Sequence, residues 1–106
     1  MAKREKITYS EKSAFHALGF PDADDLVLRA ELMRKIVDIL AALDLNQAEA
    51  GRLMKMDQPR VSALKNGRIG KFSTDRLLKA LSDLGQDVEV RITPSRVKKG
   101  RLRVAA

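Results

Sequence analysis

Cysteine and tryptophan are absent from this chain, and only one Tyr and three Phe occur among its 106 residues. Without cysteine there can be no disulfide, no thiolate metal ligand and no cysteine nucleophile. With so few rings the interior must be built from Leu, Ala, Val, Ile and Met, which favours small packed helices over a β-sandwich. The single histidine, His16, makes no metal site on its own, and no glycine-rich phosphate loop is present. No apolar run approaches the roughly 18 residues of a membrane span, and no signal-peptide pattern is visible, so a soluble, cytoplasmic protein is expected. Paired acids such as Asp24 and Asp25 read as helix-start charges rather than as an acid–base pair. No catalytic constellation stands out. The expectation is a protein that is not an enzyme and needs no cofactor and no metal.

What the chain has in excess is positive charge, +7 in total, with a hydrophobic content of 44% that suffices for one packed core. Such a balance points to a polyanion as partner. The charge is not evenly spread. Residues 21–45 carry a net −3 and residues 73–90 a net −2, whereas residues 46–72 carry +4 and residues 91–106 hold six basic residues and no acid. A purely solvating surface would not be divided in this way.

Three regions are expected: an N-terminal arm over residues 1–20, one folded domain over 21–93, and a basic tail over 94–106. The arm contains an apolar segment, Ala14 to Phe20, suited to docking. Pro21 and Asp22 open a helix in which Leu26, Ala30, Met33, Val37 and Leu40 recur at spacings of four, three, four and three, with Ile36 and Leu43 widening the stripe. It ends near Asp44. Asn46 with Glu49 forms a capping box for a second helix running to about Met54 or Lys55. Asp57 caps a third, with Pro59 in its first turn and Asn66-Gly67 stopping it. Ser73 caps a fourth, where Phe72 and Leu77 make a hydrophobic staple and Leu77, Leu78, Leu81 and Leu84 face inward until Gly85. From Asp87 to Thr93 the period becomes two, with Val88, Val90 and Ile92 on one face, and Pro94 ends this strand. The fold class is therefore mainly α: a compact bundle of four to five helices with one C-terminal β-strand.

Residues 46–67, NQAEAGRLMKMDQPRVSALKNG, read as a single unit. Two short capped helices joined by a tight connection at Lys55-Met56 form a helix-turn-helix. In that arrangement the first helix crosses the phosphate backbone and the second lies in the major groove, where every base pair shows a distinct pattern. Val61 and Leu64 face the domain. Gln58 leads at the helix start, Pro59, Ser62, Ala63 and Asn66 are expected to point directly away, and Arg60 and Lys65 flank them. Arg68 and Lys71 in the following loop are candidates for phosphate contact.

The segment resembles the helix-turn-helix of the Cro/repressor (XRE) family. Asn46, Gln47, Gly51, Gln58, Val61, Ser62, Leu64 and Gly67 match that family's pattern without a gap. The resemblance implies that Gln47 contacts backbone phosphate and braces Gln58, and that Gln58, Pro59, Ser62 and Ala63 meet bases. Two positions depart from the pattern. Lys55 stands where the turn usually has Gly, and Pro59 replaces a polar reader, leaving only apolar contact with a thymine methyl. Over roughly residues 14–93 the chain is also similar to HigA-type antitoxins. That likeness implies a repressor of its own operon that also binds a RelE-like toxin. A stand-alone or phage-derived XRE regulator without a toxin, and a toxin-neutralising module with weak DNA binding, are the alternatives.

The expected partners are thus double-stranded DNA carrying an inverted-repeat operator, a second copy of the chain, and a RelE-like toxin. Val88, Val90 and Ile92 are the expected dimer contact, because a lone strand leaves its backbone groups without a ladder. The alternative is that the strand tucks onto the first helix while the leucine helix makes the dimer. The basic tail reads either as a solvated extension or as an arm reaching phosphate.

Overall fold

The computed structural model describes residues 23–105. The arm, its Ala14–Phe20 segment and the helix start at Pro21 and Asp22 lie outside the described residues. Four α-helices follow in order: α1, Ala23–Ala42; α2, Gln47–Met54; α3, Gln58–Lys65; and α4, Thr74–Asp83, with a 3-10 turn, Ile69–Lys71, between the last two. The long α1 packs along α4, and α2 and α3 pack on each other across the open side of that pair.

The core is aliphatic, as the shortage of rings requires. Met33, Ile36 and Leu40 of α1 meet Ala50 and Met54 of α2, Val61 and Leu64 of α3, and Leu77, Ala80, Leu81 and Leu84 around α4. Phe72 is the one aromatic ring in this cluster. The buried stripe of α1 differs from the expected one. Val27 and Leu32 are buried, whereas Leu26, Ala30 and Val37 are half-buried and Leu43 is exposed. The apolar positions of α1 run too broadly around it for spacing to fix which face turns inward.

Helix ends are set by local chemistry. The side-chain oxygen of Asn46 accepts from the Glu49 amide at 2.8 Å, and the Asn46 amide donates to the Glu49 carboxylate at 3.1 Å. Asp57 and Ser73 accept from the amides of Arg60 and Arg76 in the same way. At the other ends Asp44, Lys55, Gly67 and Gly85 all take the left-handed conformation that turns the chain out of a helix. After α3, for example, the Arg68 amide reaches back to the Ala63 carbonyl at 3.0 Å.

Residues 87–93 form no strand, and Val90 and Ile92 are 75% and 90% exposed. The expected strand is therefore absent from the single chain. The physical reason is the one that made it an orphan: no other segment among the described residues is extended beside it to complete a ladder. The tail is not wholly free of the domain, because Val104 packs against the core.

Candidate nucleic-acid interface

The connection between α2 and α3 is held by backbone geometry. Lys55 adopts φ 58 and ψ 45, and both its own amide and that of Met56 turn back to the Gly51 carbonyl. Gly51 is required there, since a Cβ on it would stand 2.7 Å from the Met56 carbonyl oxygen. Arg76 of α4 donates to the Met54 carbonyl at 2.6 Å and more weakly to that of Lys55, so the leucine helix clamps the turn from behind. Met54 and Met56 are buried beneath it.

This turn brings the starts of the two helices together. Gln58 Nε2 donates to Gln47 Oε1 at 3.4 Å, across the mouth of a shallow groove that Gly51, Arg52 and Lys55 also line. Gln58, Pro59, Arg60, Lys65 and Asn66 are exposed along α3, and Arg68 and Lys71 are exposed in the loop beyond it. Gln47 and Ser62 are half-buried, and Asn66 Nδ2 donates to Ser62 Oγ at 3.3 Å. The structure thus assembles most of the expected set on one helix and its flanking turns.

Ala63 is the exception. Expected to point away from the domain, it is only 9% exposed and belongs to the core. The 3-10 turn packs back onto α3. Ala63 lies where the chain leaving α3 turns back, its carbonyl accepting from the Arg68 amide, and helical spacing within α3 carries no signal of that return.

Three residues in the structure's account of this surface were not singled out from sequence. Arg52 and Lys55 lie in the groove; the signal for Arg52 is membership of the basic block alone, and Lys55 is marked in the sequence as a turn residue and not as a contact. The third is Arg29 of α1, which donates to the Phe72 carbonyl at 2.9 Å and pairs with Asp25 at 3.0 Å. It ties α1 to the loop that carries Arg68 and Lys71. Thr74 adds a bond to Asp25 at 3.0 Å, fixing the end of that loop to the same helix.

No helix among the described residues is long and apolar enough to cross a membrane, and no cluster of three potential metal ligands occurs among them. Two short capped helices joined by a tight turn, with basic residues exposed along the second and in the loop after it, define a helix-turn-helix protein. Residues 14–93 match the family described as helix-turn-helix domain, and the chain belongs to that family. A solved structure described as an XRE-family transcriptional regulator is similar to it, with a TM-score of 0.72 and 31% identity, over 81% of this chain and 97% of that one. That likeness places the chain in the XRE family. No match was found among curated proteins.

Proposed function

We propose that the protein is a sequence-specific DNA-binding transcriptional regulator acting as a repressor. The observation that carries this reading is the pairing of Gln47 with Gln58 at the adjoining helix starts. With one Nε2 hydrogen engaged by Gln47, Gln58 keeps one amide hydrogen and its oxygen for a base edge. That donor–acceptor pair suits adenine in the major groove. Gln47, at the first position of α2, is set to meet phosphate, with Arg52 and Lys55 beside it in the groove, and Arg68 and Lys71 offer further phosphate contacts beyond the far end of α3. Arg60, Ser62, Lys65 and Asn66 line the same helix, and Pro59 offers apolar contact. Selecting bound duplexes from a random pool tests this: enrichment of a defined motif is expected, and recovery of unenriched sequence would defeat it.

The reading extends to a homodimer joined through Val88, Val90 and Ile92, which sets two copies of α3 on an inverted repeat about one helical turn apart. Their exposure supports it. Removal of residues 87–106 should give a monomer by light scattering; a truncated chain that stays dimeric and operator-bound would rule the segment out as the dimer element.

The resemblance to HigA-type antitoxins read from the sequence over roughly residues 14–93 implies a further role, that of an antitoxin repressing its own operon and silencing a RelE-like toxin. Co-expression with the product of an adjacent small basic reading frame tests this. Capture of that product, with relief of its toxicity, is expected. No capture would leave a stand-alone regulator.

A further inference from the structure

We propose that residues 87–93 pair with the same residues of a second copy in one register only, antiparallel and centred on Val90, with Glu89 of each copy facing Arg91 of the other. This rests on the strand-dimer reading above and specifies its geometry. The segment reads Asp87-Val88-Glu89-Val90-Arg91-Ile92-Thr93, and Val88, Val90 and Ile92 are 42%, 75% and 90% exposed.

Antiparallel pairing of a segment with itself leaves few choices, because side chains alternate between faces and a slip of one residue sets apolar against charged. Only shifts that keep like faces together need comparison. Centred on Val90, Val88 faces Ile92, Val90 faces Val90, and Glu89 faces Arg91 on both sides of the two-fold axis. Centred on Glu89, two glutamates meet on the axis. Centred on Arg91, two arginines do. Centred on Val88, Asp87 faces Glu89 and Val90 faces Gln86. Centred on Ile92, Val90 faces Pro94, which has no amide to give the ladder. A parallel, in-register pair would stack every charge on its like.

One arrangement therefore sets all three apolar residues against apolar partners and pairs Glu89 with Arg91, leaving Asp87 opposite the neutral Thr93. Opposite charges directly across a strand pair stabilise it, and like charges there oppose it. The complementarity is to the segment itself, which is why the occupant is a second copy and not an unlike chain. Register in a bare two-stranded ribbon is otherwise weakly specified. Here Glu89 and Arg91 specify it from the polar face.

The absence of native cysteine makes the register measurable in the full chain. Single variants Val88→Cys, Val90→Cys and Ile92→Cys are oxidised at low concentration and resolved on non-reducing gels. Residues directly opposite hold their Cβ atoms about 5 Å apart. In the proposed register the two copies of residue 88 lie four residues apart along the strand, about 14 Å, beyond disulfide reach. Val90→Cys should therefore cross-link with itself. Val88→Cys and Ile92→Cys should cross-link only when mixed with each other. Charge reversal provides an independent reading: Glu89→Arg or Arg91→Glu alone should weaken dimerisation on the order of tenfold, and the double reversal should restore it. Self-cross-linking strongest at position 88 or 92, or a double reversal no better than either single, would overturn the register while leaving a strand dimer standing. No cross-link at any position, with a monomeric mass, would overturn the strand dimer as well. Operator binding, measured on the same variants, reports separately on the DNA-binding reading.

Discussion

The carbonyl oxygen of Met56 lies where the β-carbon of any residue other than glycine at position 51 would come within 2.7 Å of it. Gly51 is thus the hinge plate of the helix-turn-helix: its own carbonyl receives the Lys55 and Met56 amides, and its bare α-carbon lets the chain fold back. Gly51→Val should force the turn open or displace α3, at a cost of about 2 kcal/mol or more. Urea unfolding measures it. A variant as stable as the parent would show that the turn relaxes freely.

Lys55 presents the opposite case. It holds a left-handed conformation with a full side chain, which costs about 1 kcal/mol relative to glycine. Lys55→Gly should raise stability by roughly that amount, less the extra freedom glycine has when unfolded. It should also weaken DNA binding, because Lys55 lines the groove between the two helices. Melting temperature and affinity are expected to move in opposite directions, with the binding loss shrinking at high salt.

Base reading and backbone contact separate by substitution. Gln58→Ala should cost about 1–3 kcal/mol on the selected operator and little on random duplex. Arg68→Ala and Lys71→Ala should weaken both alike and flatten the dependence on salt. Equal losses for Gln58→Ala on the two DNAs would remove it from base reading.

The clamp from α4 gives a prediction about position rather than contact. Arg76→Met keeps the stem of the side chain but removes the donors to the Met54 and Lys55 carbonyls. About 1 kcal/mol of stability should be lost. Amide exchange should quicken first at Lys55 and Met56, ahead of the α1–α4 core. Uniform acceleration would mean that Arg76 holds no particular part of the fold.

Much of this was legible in the sequence where the chemistry is local. Asn46, Asp57 and Ser73 cap the helices they were expected to cap, because an N-cap and its amide lie three residues apart and any reader of the chain sees both. Gly67 and Gly85 end helices for the same reason. Contacts across the fold were not legible. Arg29 reaches a carbonyl 43 residues away and Arg76 one 22 residues away, and neither carries a local mark of its target. Spacing within α3 alone sets Ala63 outward, yet it belongs to the core, and the return of the chain beside it comes after its own helix. The 87–93 strand was read from alternation alone, and alternation specifies a face without supplying the neighbour that completes it.

The reading helix is secured almost entirely from its inner face and its ends. Val61, Ala63 and Leu64 are buried, Asp57 caps the start, and Gly67 turns the chain out at the finish. Gln58, Pro59, Arg60, Lys65 and Asn66 are exposed. Surface positions of this kind usually tolerate exchange within about 0.5 kcal/mol. On the proposed reading the consequence is evolutionary: substitution on the outer face of α3 would change which bases are met while leaving the buried face, and so the fold, untouched.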